Sequence, residues 1–466
     1  MNNPDTDHTD VLVIGAGPGG YSAAFRAADL GKSVILVDRR ATLGGVCLNV
    51  GCIPSKALLH AAQVIEEAAN ATEFGISFGA PRIELDALRN WKDKVVSDLT
   101  GGLAGLARRR KVRVLQGDAR FTSDRDVMIT GSRGAHRLTF EHAIIATGSE
   151  PLRPAFLPDD PRIIDSTGAL ALERVPDHLV VLGAGIIGLE MAQVYSALGS
   201  RVTVIELADQ IIPGADEPLV MPLTNRIKGR YNLRLGTEVK AVDAREDALH
   251  LSTSDSGGEE TLTCDALLVA VGRRANPDPL DLEQAGLNAN EYGQIATDSQ
   301  MRTAQPTIFA IGDVTDGPML AHKAVHEGKT AAEAICGLDA HFDALTIPSV
   351  AYTSPEIAWA GLTESAAKAS GTEVEVSSFP WAASGRARTL GGTDGLTRLL
   401  TDPESGRILG IGITGPNAGE LLAEGVLAIE MGADAADLAL TIHPHPTLSE
   451  TTGFAAETRE GTLTDL

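Results

Sequence analysis

Two cysteines five positions apart, Cys47 and Cys52, carry the sharpest chemical signal in the sequence. A glycine pair, Gly44 and Gly45, precedes them. Pro54 and Lys56 follow, and apolar residues at helical spacing begin at Leu58 and Leu59. That order reads as a glycine-rich loop running into the start of a helix. A thiol near a helix N-terminus faces the positive end of the peptide dipoles, which favours thiolate, and a nearby lysine acts in the same direction. A disulfide closing so short a loop stabilises a fold by only about 2 kcal/mol in the chain-entropy model. A redox-active disulfide therefore explains the spacing better than a structural staple. The other two cysteines, Cys264 and Cys336, stand in apolar surroundings and read as buried small hydrophobes.

A second candidate lies near the C-terminus, His443-Pro444-His445-Pro446-Thr447-Leu448-Ser449-Glu450. An imidazole with an acid five residues on can have one ring nitrogen held by the carboxylate, which makes the other a better base. The same stretch reads equally as a structural pair of loop histidines.

The elements that must position these groups form a repeat. Val11-Leu12-Val13-Ile14 is a continuous apolar run, the pattern of a buried parallel strand. Gly15-Ala16-Gly17-Pro18-Gly19-Gly20 follows directly, then an alanine-rich helix, Gly31, and a strand ending at Asp38. Strand, glycine turn, helix, strand and acid make the dinucleotide fingerprint in its required context. Gly15 permits the tight turn, Gly17 lets a pyrophosphate approach, Gly20 lets the helix pack, and Asp38 is placed to accept from a ribose. The pattern returns with Gly183-Ala184-Gly185-Ile186-Ile187-Gly188 and a strand ending at Glu206. Gly183 stands 168 positions after Gly15, and Glu206 stands 168 after Asp38. Two fingerprints in one register predict two dinucleotides. The acid at the second site, with no arginine directly after it, favours NAD over NADP.

Residues 57–110 read as mainly helical, closing on Arg108-Arg109-Arg110-Lys111 as a solvated helix end. Short β-like runs follow over 112–139. A buried strand then ends at Thr147-Gly148, and a cluster of prolines (Pro151, Pro154, Pro158, Pro161) marks a linker. Residues 233–262 read as a β-meander, and 266–271 as a buried strand before Gly272. The strand at 307–311 ends in Gly312-Asp313, where the acid either faces a ligand crevice or caps a turn. Met319-Leu320-Ala321-His322 opens a helix. From about Thr346 the pattern changes to strands at 349–353 and 356–361, a hairpin at 396–414, and an apolar helix around Leu422 and Val426 suited to a core or a subunit interface.

A chain of 466 residues exceeds what one core serves, and about three domains are expected. With 39 basic and 62 acidic residues the formal charge is −23, which repels nucleic acid and anionic membranes. The acidic N-terminal stretch has neither the basic nor the apolar region of a secretory signal, and no apolar run approaches the roughly 18 residues of a membrane span. A cytoplasmic protein without a metal centre is expected.

The Cys47-Leu48-Asn49-Val50-Gly51-Cys52 block with Pro54 and Lys56, the two fingerprints, Gly312-Asp313, and His445-Pro446-Thr447 with Glu450 together resemble the disulfide-reductase flavoproteins. Within them the chain looks like the dihydrolipoyl dehydrogenases, and the resemblance covers nearly its whole length. It implies an α/β fold with two Rossmann-like dinucleotide-binding domains and a C-terminal α+β interface domain. The first would take FAD (residues 1–150, completed by 272–345), the second NAD (151–271), and 346–466 would form the dimer interface. Asp38, Lys56, Gly117, Thr147, Gly148, Asp313 and Met319, Leu320, Ala321 and His322 would contact FAD, with Gly15, Gly17 and Gly20. Gly183, Gly185, Gly188, Glu190, Glu206, Val239 and Gly272 would contact NAD, and Glu190 would pair with Lys56. Cys47 and Cys52 would be the catalytic disulfide. His445 with Glu450 would act on it from the other subunit of a homodimer. Lipoyl domains and the peripheral subunit-binding region of acyltransferase cores are the implied partners. Glutathione reductase-like activity is the nearest alternative, and Glu206 speaks against the NADPH it would need.

Overall fold

Apolar runs become the middles of two parallel sheets. The structure, a computed structural model, describes residues 7–132 and 134–464; the first six residues of the acidic N-terminal stretch lie outside it. In the first sheet the strand Asp7–Ile14 lies between Val34–Asp38 and Gly134–Ile145, both parallel to it. Arg113–Gln116 adds an edge, and the hairpin Asp118–Ser123 and Asp126–Gly131 extends the sheet antiparallel beyond Gly134–Ile145. Ile308–Ala310 comes back from far along the chain to pair in parallel with Ala143, Ile144 and Ile145. The second sheet is all parallel, in the order Asn232–Arg234, Arg201–Ile205, His178–Leu182, Ala266–Val269, Ile163–Ile164.

Both sheets obey the same local rule. Val11, Leu12 and Val13 and their counterparts Leu179, Val180 and Val181 are fully buried, because each sheet is covered on one face by helices and on the other by further strands: Val180 packs against Val239 and Leu251 of the meander, and Leu12 shares a core with Phe121 and Ile129. Each leading strand then turns at a glycine with positive φ, 104° at Gly15 and 105° at Gly183. A Cβ there would come within 2.2 Å of Ala146 O at the first and 2.4 Å of Ala270 O at the second. Left-handed backbone and close approach both call for glycine at these turns.

The meander is present as the antiparallel strands Glu238–Ala244, Leu249–Asp255 and Gly258–Cys264. The C-terminal part is a five-stranded antiparallel sheet, Ser349–Ala351, Glu356–Gly361, Ile408–Gly415, Leu396–Thr401, Glu375–Pro380, packed against the helices Ala418–Met431 and Glu450–Glu460. Its core includes Phe379, Trp381 and Ile413. Among the described residues no helix is long and apolar enough to cross a membrane.

Three sequence expectations change. Residues 44–56 are not a loop leading into a helix. Gly45–Val50 is itself a short helix holding Cys47, and a break at Gly51 separates it from Cys52–Asn70. The Asn49 amide closes this turn by donating to Gly45 O and Leu43 O. The proline-rich linker contains structure too. Ser149–Pro151 pairs antiparallel with Arg273–Ala275, so the two connections into and out of the second sheet run side by side. The strand expected at 266–271 ends at Val269, where Gly272, with φ 129°, is about to turn the chain.

Candidate active site

Cys52 is the first residue of the long helix Cys52–Asn70, and Lys56 stands one turn further along. The pair expected as a disulfide is present as two free thiols in hydrogen-bond contact. The Cys47 hydrogen bond, ahead of the Lys56 charge, pulls the Cys52 thiol down to about 7, against burial. Cys47 is pushed the other way, because it keeps the shared proton beside a developing neighbouring anion. The two cysteines are therefore drawn in opposite directions, Cys52 toward its anion and Cys47 toward keeping the shared proton.

Lys56 reaches both oxygens of Glu190 at 2.9 Å, although 134 positions separate the two residues in sequence. Glu190 is buried, on the helix Ile186–Ala197 that opens at the second fingerprint. The expected pairing thus locks a helix of the first nucleotide-binding unit to a helix of the second.

These groups open onto a cavity of about 1430 Å³. It is lined by Gly17 and Gly20 of the first fingerprint, by Cys47, Cys52, Lys56 and Gly148, and by Asp313 with Met319, Leu320, Ala321 and His322. Gly183, Gly185, Glu190, Glu206, Val239 and Gly272 line its other end. A smaller cavity of about 230 Å³ holds Gly15, Asp38, Gly117 and Thr147. Gly188 lies outside both; a Cβ there would be 2.1 Å from Gly183 O, so it serves packing.

The chemistry of the lining suits two dinucleotides. The helices Pro18–Asp29 and Ile186–Ala197 begin at Gly17 and Gly185 with no side-chain cap, so their N-terminal amides are free for phosphate. Asp38 takes the Ala16 and Arg40 N–H groups at 2.6 and 2.7 Å. Glu206 repeats this with Ala184 and Ala208 at 2.7 and 2.9 Å. Each carboxylate keeps lone pairs for a ribose hydroxyl. Thr147 Oγ1 is buried without a partner among the described residues, as a group that bonds a ligand would be.

The His–Glu pair forms as expected but not at this cavity. His445 Nδ1 meets Glu450 Oε1 at 2.8 Å, and Thr447 N–H fixes the other Glu450 oxygen at 2.7 Å. The His445 side chain is 81% exposed and lines neither cavity. His443 in the same loop is largely covered and paired with Glu424 at 2.8 Å.

The comparisons with known proteins agree with this geometry. Residues 9–328 match the model for pyridine nucleotide-disulphide oxidoreductases, and residues 347–456 match the dimerisation domain of that family. The chain belongs to the pyridine nucleotide-disulphide oxidoreductases. It is similar to the dihydrolipoyl dehydrogenase of Vibrio cholerae serotype O1, 56% identical over 98% of this chain and 96% of the relative. To the dihydrolipoyl dehydrogenase of Bacillus subtilis it is 45% identical over 97% of each. Among solved structures it resembles the HOCl-induced flavoprotein disulfide reductase RclA from Escherichia coli, at 26% identity and a TM-score of 0.85, covering 96% of this chain and 99% of that one.

Several residues of this oxidoreductase site escaped the sequence reading. Arg273 lines both cavities and donates through Nε to Ser149 Oγ and through Nη2 to Ser149 O, each at 2.7 Å. Ser149 in turn donates to Asp313 at 2.5 Å, which answers the crevice-or-cap question: Asp313 faces the cavity and is held there. A buried Lys323–Glu327 pair at 2.8 Å supports the same turn, with Glu327 accepting from Gly312 N–H at 2.6 Å. Their four-residue spacing on a helix was the one available signal. Tyr352, over Lys56, had none.

Proposed function

We infer that the protein is a dihydrolipoyl dehydrogenase: it oxidises dihydrolipoyl groups to lipoyl groups, uses FAD, and reduces NAD⁺ to NADH. The observation that carries this is the Cys47–Cys52 pair opening, beside Lys56, onto a cavity with a dinucleotide fingerprint at each end. The division into a FAD unit (1–150 with 272–345), an NAD unit (151–271) and an interface unit (346–466) belongs to this proposal. So do the cofactor contacts named above, a homodimer, work in the cytoplasm, and docking on lipoyl domains and the peripheral subunit-binding region of acyltransferase cores.

In the oxidised enzyme Cys47 and Cys52 are joined. One thiol of the dihydrolipoyl group loses its proton to Nε2 of His445 of the partner subunit. The resulting thiolate attacks Cys47 Sγ, the Cys47–Cys52 bond breaks, and Cys52 leaves as the thiolate that Lys56 stabilises. The second lipoyl thiol then displaces Cys47, closing the lipoyl disulfide. The second thiol's proton passes to Cys47 as it leaves, so the protein holds two cysteine sulfurs sharing one proton, and the other proton rests on His445 of the partner subunit. Bound FAD supplies the two-electron relay from Cys52 to NAD⁺. Glu190 keeps Lys56 in place, and the uncapped helix starts at Gly17 and Gly185 would hold the phosphates of the two dinucleotides.

The test sets NAD⁺ reduction by dihydrolipoamide against NADPH oxidation by glutathione disulfide. Turnover in the first assay alone is expected; turnover in the second alone would overturn the reading. NAD⁺ should also exceed NADP⁺ roughly 100-fold in kcat/KM, because the 2′-phosphate would meet the Glu206 carboxylate. Equal values for the two would remove Glu206 from its role.

A further inference from the structure

Lys56 is held from two sides, and only one of them is its ion pair. On one side stands Glu190, with both oxygens at 2.9 Å. On the other, the ring of Tyr352 lies under the ammonium, 4.3 Å from Nζ to the ring centroid. Tyr352 follows the strand Ser349–Ala351 of the C-terminal sheet and lines the large cavity, 38% exposed. Its backbone N–H donates to Glu190 Oε1 at 3.2 Å, so one residue touches both partners. Its hydroxyl makes no hydrogen bond among the described residues.

The two partners act on Cys52 with opposite sign. Lys56 favours the thiolate and Glu190 opposes it. An ion pair left to itself is close to neutral at a distance, so the net effect on Cys52 depends on where the ammonium sits. A lysine side chain on four rotatable bonds does not hold one position through a single contact. An aromatic face in a partly desolvated cavity supplies the second.

We propose, resting on the function above, that Tyr352 is a positioning residue for the dithiol chemistry: its ring face holds the Lys56 ammonium where its charge supports the Cys52 thiolate. The other titratable groups facing Cys52 are Cys47 on the helix Gly45–Val50, Tyr21 on Pro18–Asp29, Glu190 on Ile186–Ala197 and Arg273 from the paired connections. Glu356 faces Lys56 from the strand Glu356–Gly361, Glu420 on the helix Ala418–Met431 faces both Glu356 and Tyr352, and the Tyr352 phenol itself faces Cys52. The other residues all remain in a variant that exchanges only the Tyr352 side chain, and the Tyr352 N–H to Glu190 is a backbone bond that the exchange keeps, which makes the ring testable by itself.

The experiment uses the FAD-loaded enzyme reduced by two electrons and follows the pH midpoint of its long-wavelength thiolate–flavin absorbance. Tyr352→Phe keeps the ring face and should keep the wild-type midpoint. Tyr352→Leu removes it, and the midpoint should rise by roughly half a pH unit or more, because the lysine's help falls while Glu190's opposition stays. Tyr352→Gln provides the same loss if the leucine variant does not fold. An unchanged midpoint in the variants lacking the ring would overturn the proposal. So would an equal rise in Tyr352→Phe, which would assign the effect to the hydroxyl. Wild-type protein that carries FAD and shows no such band would instead defeat the assignment of Cys52, and this inference with it.

Discussion

His445→Gln is expected to slow dihydrolipoamide oxidation roughly 100- to 1000-fold while NADH oxidation by an artificial electron acceptor stays within about twofold of wild type. The split follows from where the residue stands. Glu450 Oε1 holds Nδ1 at 2.8 Å, which selects the tautomer with Nε2 free as the base. The carboxylate cannot swing away, because Thr447 N–H holds its other oxygen at 2.7 Å. This dyad touches nothing that serves a nicotinamide, so only the thiol half of the reaction should suffer. An equal fall in both halves would remove His445 as the base.

The same residue tests the dimer. His445 points outward and does not line the cavity that holds the cysteines of its own chain. The side chains beside it, Leu440 and Ile442, are 81% and 95% exposed, as an apolar face covered by a second copy would be. Co-expression of Cys52→Ser and His445→Gln chains should therefore restore activity neither variant has alone. Each mixed dimer joins one intact cysteine pair to one intact histidine, which yields about a quarter of the wild-type rate for random pairing in a two-fold dimer. No recovery would place base and disulfide in one chain.

Much of this architecture was legible because it is written locally. A parallel strand buried on both faces must be apolar throughout, so Val11 to Ile14 and Leu179 to Leu182 announce themselves. The turns at Gly15 and Gly183 have no room for another residue, and the acids at Asp38 and Glu206 close each unit in register. The His445–Glu450 bond spans five residues and was readable for the same reason. What stayed hidden depends on contacts between distant segments. Tyr352 meets Lys56 only because the C-terminal sheet folds back over the first unit. Arg273 matters only because Ser149 lies opposite it across the two connections. The helical turn at Cys47 was hidden for a subtler reason: Gly44 and Gly45 predict a loop, and their positive φ values, 106° and 57°, instead aim the chain into the helix that follows. In Gly45 the requirement comes from another segment, since a Cβ there would lie 2.5 Å from Gly17 Cα.

Cys52→Ser is expected to abolish dihydrolipoamide oxidation, at least roughly a thousandfold down, and to remove the long-wavelength band of the two-electron-reduced enzyme. The thiolate responsible has a defined pH dependence. The Cys52 thiol is lowered to about 7, so its anion forms as pH rises through that value and is lost as pH falls below it. The band of the wild-type enzyme should follow, growing through about pH 7. Exchange of the other cysteine separates the two roles. Cys47→Ala also ends turnover, because no sulfur remains for the lipoyl thiolate to attack, yet Cys52 and its band survive. The hydrogen bond from Cys47 is the largest contribution to the Cys52 shift, ahead of the Lys56 charge. Its removal should therefore move the band's midpoint upward, toward the ordinary thiol range, while Lys56 keeps it from going all the way. A band that persists in Cys52→Ser, or one that disappears in Cys47→Ala at every pH, would exchange the roles of the two cysteines.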